Sequence, residues 1–120
     1  MIEQFTERDD SFEKEYIVGS DIVLVSVDKD ELTKETDKIL EHVVANIERL
    51  INDSLRYINE IKEEYEIGHI DDFSNPGIFV GHDNFSVYWD SEKGEEIGVT
   101  VIGADFYWPE RKWQGLTLGD

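Results

Sequence analysis

Apolar and polar positions along this chain fall into three successive patterns. Between Phe12 and Val27 they form two short runs: Phe12, Tyr16, Ile17 and Val18, then Ile22-Val23-Leu24-Val25-Ser26-Val27. β-Branched and aromatic side chains pack well on a pleated surface, and Gly19-Ser20-Asp21 between the runs is a turn signal. Residues 1 to 28 are therefore expected to contain a hairpin. The nearly unbroken second run predicts an interior strand, covered on at least one face.

From about Lys29 to Ile67 the spacing changes to steps of three and four. Leu32, Ile39, Leu40, Val43, Val44, Ile47, Leu50, Ile51, Leu55, Ile58, Ile61 and Tyr65 fall on one helical stripe. One long helix is predicted. Asp28 with Glu31 resembles a capping box at its start, and Gly68 stands where a left-handed cap would end it. Asn52-Asp53-Ser54 is the weakest stretch, where a kink or break would fall. Unbroken, such a helix would exceed ~50 Å at 1.5 Å per residue. Either it bends, or it begins irregularly, or part of its stripe meets another chain.

The remaining residues alternate. Asp71 through Gly77 is a loop, Ile78-Phe79-Val80 a short strand, and Phe85 through Trp89 a strictly alternating one. Asp90-Ser91-Glu92-Lys93-Gly94 predicts a hairpin turn, with Glu96 to Ile102 returning. Gly103 marks a bulge or a close backbone approach, and strand continues from Ala104 to Trp108. Leu116-Thr117-Leu118 is too short to assign. The expected fold is one α+β domain over residues 1 to 120. An antiparallel sheet in β-β-α-β-β-β order would carry one long, kinked or continuous helix on a face. Phe85, Val87 and Trp89 would face that helix, leaving Ser86 and Tyr88 on the wetter side.

Composition narrows the function. The chain has 120 residues, 39% of them hydrophobic, enough for a core without staples. It has no cysteine, which excludes disulfides, thiolate metal sites and cysteine nucleophiles. Met1-Ile2-Glu3-Gln4-Phe5-Thr6-Glu7 has neither a basic nor an apolar stretch, and no apolar run reaches the ~18 residues of a membrane span. The expectation is a cytoplasmic protein. Its net charge is −18, from 29 acidic and 11 basic residues. Such a field repels nucleic acid and anionic membrane and attracts cations. An acidic proteome in a salt-adapted organism would produce the same total.

No phosphate loop, dinucleotide fingerprint or nucleophile elbow is present. The chain therefore reads as a binding protein rather than an enzyme, with no cofactor. One alternative is a metal-dependent enzyme built on His69, Asp71, Asp72, His82 and Asp83, since imidazole with carboxylate suits zinc, manganese or iron. Their spacing matches no ligand motif, and ordinary loop residues would look the same. His42, inside the helix, reads as structural.

The acid is unevenly distributed. Glu60, Glu63, Glu64 and Glu66 crowd the helix C-terminus, and Asp71 and Asp72 follow. Carboxylates there oppose the helix dipole, so the pattern breaks a local rule. Asp90, Glu92, Glu95 and Glu96 surround the predicted hairpin turn. Tyr88, Trp108 and Trp113 lie near in sequence, Trp113 between Lys112 and Gln114; Trp89 and Phe106 read as core. Carboxylates beside aromatics suit an interface that receives arginine and lysine. A solvated polar face would give similar charge runs.

The segments Glu60-Ile61-Lys62-Glu63-Glu64-Tyr65-Glu66 and Asp90-Ser91-Glu92-Lys93-Gly94-Glu95-Glu96, on an acidic α+β chain of this size, carry a resemblance. The chain resembles bacterial immunity proteins that neutralise polymorphic or contact-dependent toxins. The likeness is one of size, charge and architecture and rests on no specific motif. It implies a basic toxin domain as partner, often a nuclease, whose cleft is occluded by carboxylates standing in for substrate phosphates. A further alternative is a homo-oligomeric module assembled through surplus apolar surface on the long helix.

Overall fold

A computed structural model describes every residue from Met1 to Asp120. Seven strands and two helices follow in order: β1 (Thr6–Glu7), β2 (Ser11–Val18), β3 (Asp21–Asp28), α1 (Lys34–Ala45), α2 (Ile47–Ile61), β4 (Ser74–Val80), β5 (Asn84–Asp90), β6 (Val101–Tyr107) and β7 (Lys112–Gly119). The fold is α+β, with one sheet whose strands lie in chain order from β1 to β7. Neighbours are antiparallel except β3 and β4. That pair is parallel because the helices carry the chain back along the sheet, as parallel pairing requires. The expected all-antiparallel, five-strand order is corrected accordingly.

The alternation read from the sequence sets the two faces. Val23, Val25, Val27, Ile78, Val80, Phe85, Val87 and Ile102 are fully buried on the covered face, and Trp89 nearly so. Ile39, Leu40, Val43, Leu50, Ile51 and Ile58 meet them from the helices. The opposite, open face carries Leu24, Ser26, Gly77, Phe79, Ser86, Tyr88, Gly103 and Asp105 by register.

The single long helix is two helices, separated at Asn46. Asn46 leaves helical geometry at φ −134°, ψ 23°, and its side-chain amide donates to the His42 carbonyl at 2.8 Å. Helices of 12 and 15 residues are about 18 and 22 Å long. The bend lets α1 reach β4 and α2 lie over β5, β6 and β7 within a body 40 Å long. Asn52-Asp53-Ser54 does not break. Ser54 is buried, donates to the Ile51 carbonyl at 2.8 Å and accepts from Trp89 Nε1 at 3.2 Å. Its hydroxyl completes the core instead of competing with the helix.

The predicted helix ends also move. Lys29–Glu31 is a 3-10 turn, and the true cap is Thr33. Thr33 Oγ1 accepts from Thr36 N–H at 3.1 Å, and Thr36 Oγ1 accepts from Thr33 N–H at 3.2 Å. A 3-10 turn over Lys62–Tyr65 follows α2, and Glu66, not Gly68, takes the left-handed position at φ 61°. The Ile67 N–H then reaches back to the Lys62 carbonyl at 3.1 Å.

Two features of the second half differ from expectation. A 3-10 turn at Glu95–Ile97 and left-handed Gly98 occupy the predicted start of the return strand, which begins at Val101. Gly103 pairs regularly, and a Cβ there would meet only ordinary contacts. The bulge falls between Ala104 and Phe106, against Gly115 at φ 82°. No helix is long and apolar enough to cross a membrane. The exposed large hydrophobic residues are Ile17, Ile22, Leu32 and Ile97, none on α1 or α2. Of the predicted helical stripe, Ile39, Leu40, Val43, Ile47, Leu50, Ile51 and Ile58 are buried in the core, while Leu32 is exposed ahead of α1.

Candidate protein interface

The two acidic groups are far apart in sequence, but the fold brings their segments together at one end of the sheet. The residues 66 to 73 loop, after α2, enters β4 there, and the residues 91 to 100 loop leaves β5 there. Asp72 joins them. Its carboxylate accepts from Ser91 Oγ at 2.5 Å and from the backbone N–H groups of Glu92 and Lys93 at 2.8 and 3.1 Å. The Ser91 hydroxyl first, with those two N–H groups, holds the Asp72 carboxyl down to about 2. Hydrogen bonds to the ionised form cause such a shift. Ser91 is itself buried, and its Oγ also accepts from Gly94 N–H at 3.3 Å. Gly94 fits because a Cβ there would lie 1.8 Å from the Val99 carbonyl oxygen.

Asp71 makes an ion pair with Lys93 at 2.5 Å, which lowers the Asp71 carboxyl and raises the Lys93 ammonium. Lys62 is also engaged, donating to the Ile70 carbonyl at 2.7 Å with its ammonium 5.8 Å from the Phe73 ring centre. These are the cations of the two acidic segments. Around them Glu60, Glu63, Glu64, Glu66, Glu92, Glu95 and Glu96 are exposed, and none makes an ion pair. Asp71 and Asp72, by contrast, are occupied in holding the loops.

The aromatic candidates divide. Tyr88 lies on the open face over Gly77, where a Cβ would sit 2.3 Å from its ring. Burial, then Asp90 and Glu13, push its phenol up, so it stays protonated. Asp90 is on the same face and accepts from Asn75 Nδ2 at 3.2 Å. Trp108 corrects the expectation of a surface anchor. It is 7% exposed, donates Nε1 to Glu35 at 2.7 Å, and lies against His42 with Arg111 stacked 3.6 Å from its ring centre. Trp113 packs on Phe85, Phe106 and Tyr57 at the edge of the core. Burial pulls the His42 imidazole down, helped by Arg49 and Arg111.

The His/Asp set does not assemble. His69 sits in the acidic-end loop, and His82 and Asp83 are in the turn after β4. The strand between them spans about 20 Å. His82 is held by Glu31, which accepts its backbone N–H at 3.1 Å and contacts its ring Nδ1. No three His, Asp or Glu side chains gather in a metal-holding group. The role of Asp72 was invisible in sequence because its partners lie about twenty residues away. Protein-family models, curated proteins and solved structures return no match to this chain.

Proposed function

We propose that this chain is an acidic binding protein that occludes a basic protein surface, in the manner of immunity proteins that neutralise bacterial toxins. The supporting observation is the joining of two acidic segments at one end of the sheet, with their lysines already engaged. The free carboxylates there would stand in for the phosphates of a nuclease substrate. A net charge of −18 would steer a cationic partner into contact, raising the association rate at low salt.

Glu66 supports the reading from another direction. A non-glycine residue in left-handed geometry costs about 1 kcal/mol or more, and a carboxylate at a helix C-terminus adds to that cost. Local rules are broken most often where function demands it.

The test is recovery of a partner from the native host with tagged wild-type chain and a Glu63→Gln, Glu64→Gln, Glu92→Gln, Glu95→Gln variant. The expected result is a basic protein whose association rate falls at least about tenfold in the variant and falls steeply with salt. Failure to recover a basic partner, or equal, salt-insensitive rates for both chains, would reject the proposal.

A further inference from the structure

No element covers the open face of the sheet, because both helices pack on the other side. By register it carries Glu13, Glu15, Asp28, Asp90 and Asp105. Its neighbouring cations are Lys112 and Arg8, the latter 3.4 Å from Glu13. Toward the β4–β5 turn this face sinks into a cup of about 410 Å³, lined in part by Phe79, Asp83, Ser86, Asp105, Tyr107 and Thr117.

Asn84 and Gln114 also line the cup and carry both donors and acceptors, but its charged groups, Asp83 and Asp105, are both acidic. Ser86 Oγ donates to Asp105 Oδ1 at 2.6 Å, and Thr117 Oγ1 donates to Oδ2 at 2.7 Å. Each hydroxyl has a single proton, which is committed to the carboxylate, so it offers the cup only lone pairs. Each carboxylate oxygen accepts once and keeps capacity for another donor. No ion pair of the chain includes Asp105. The result is a negative, acceptor-rich floor with its carboxylate held in place, beside the aromatic rings of Phe79 and Tyr107.

We propose that this cup receives an arginine side chain of the basic protein partner. A guanidinium has donors and no acceptor, pairs with both oxygens of a carboxylate, and stacks on aromatic faces. A lysine ammonium shares the charge but not the planar fork. Asp90, Tyr88 and Ser86 project from alternate positions of β5 onto the same face, so the surface runs from the acidic end to the cup. The inference rests on the reading of a basic partner and extends its contact beyond the acidic end.

Hexa-arginine and hexa-lysine, titrated into the ¹⁵N-labelled full chain at physiological salt, test this. Expected are saturable shifts of the Ser86, Asp105, Tyr107 and Thr117 amides with hexa-arginine, and weaker ones with hexa-lysine. Asp105→Asn should weaken hexa-arginine binding at the cup at least about tenfold. Tyr107→Ser, which leaves the carboxylate intact, should weaken it about threefold and decides the matter if the first variant misfolds. Shifts confined to residues 60 to 72 and 90 to 96 would overturn the cup and leave the basic-partner reading standing. Equal cup shifts with both peptides, unaffected by the substitutions, would also overturn it. No shift anywhere would overturn both.

Discussion

At one end of the sheet, the loops are joined by a carboxylate that gathers backbone N–H groups. At the other, they are joined by rings. Asp72 accepts from Ser91, Glu92 and Lys93 at the acidic end, leaving the surrounding glutamates in water. At the far end, Trp108 is packed between His42 and Arg111 and donates to Glu35, while Glu31 holds the His82 turn. The aromatic end is thus closed by a nearly buried ring with a cation stacked on it. At the acidic end the polar bonds of Asp72 lie beside Ile67, Ile70 and Trp89, which are buried, while the glutamates stay exposed. The loop after α2 thus anchors itself in the core through Ile67 and Ile70 and presents charge through the glutamates beside them.

The contrast can be broken most severely at Trp108. Trp108→Ala removes a large, nearly buried ring and should cost about 3–5 kcal/mol, read as a lower urea midpoint. An effect below 1 kcal/mol would mean that the aromatic end does not carry the stability assigned to it. At the acidic end a substitution should work in the opposite direction. Glu66→Gly relieves the left-handed residue and should stabilise by about 1 kcal/mol, while slowing association with a basic partner.

A smaller, local effect is expected from Asp72→Ala. Hydrogen exchange at the Glu92 and Lys93 amides should accelerate, with α1 and α2 protection unchanged. The linked pH dependence has a definite sign. The folded-state pKa of Asp72 is depressed to about 2, so its contribution is present above the ordinary carboxylate pKa of about 3.8 and is lost as pH falls through about 2. Wild type should therefore lose its advantage over Asp72→Ala across that acid window.

The smallest effects belong to the histidines, which pull against each other. The Glu31 hydrogen bond raises His82, with Asp83 and the Glu31 charge adding. Its contribution is complete below about pH 6.5 and fades as pH rises through the folded value. Burial lowers His42, so its contribution is complete above that pH and fades as pH falls through the folded value. Thermal midpoints between pH 5 and 8 should rise with pH in His82→Gln and fall with pH in His42→Gln. Parallel profiles for both variants would remove the sign difference between the two sites.

Much of the sheet was legible in sequence because alternation is a local signal. Phe85, Val87 and Trp89 face the helices as their spacing requires. The break at Asn46 was hidden because Val43 and Ile47 keep a four-residue step across it. The cap was misplaced because Thr36 stands where a capping box usually has Glu or Gln. Trp108 reads as an interface aromatic because it lies near the acidic hairpin in sequence, at the end of a strand. What buries it, Glu35 and His42, comes from a helix some seventy residues earlier. The acidic segments were visible as runs, but their union depends on Asp72 meeting a distant turn. The Asp105 cup required register between three strands, Ser86 to Asp105 to Thr117, which no local pattern conveys.

The parallel pairing of β3 with β4 also bears on how the chain folds. β1 to β3 form one meander and β4 to β7 another, each closed by short connections. Leu24 to Val27 pair with Gly77 to Val80 across some fifty residues that include both helices. Local hairpins form in about 1–10 μs, whereas the seam must first close a long loop and meet its entropy cost. Folding should thus proceed from two ready-made halves, with zippering of this seam as the rate-setting event.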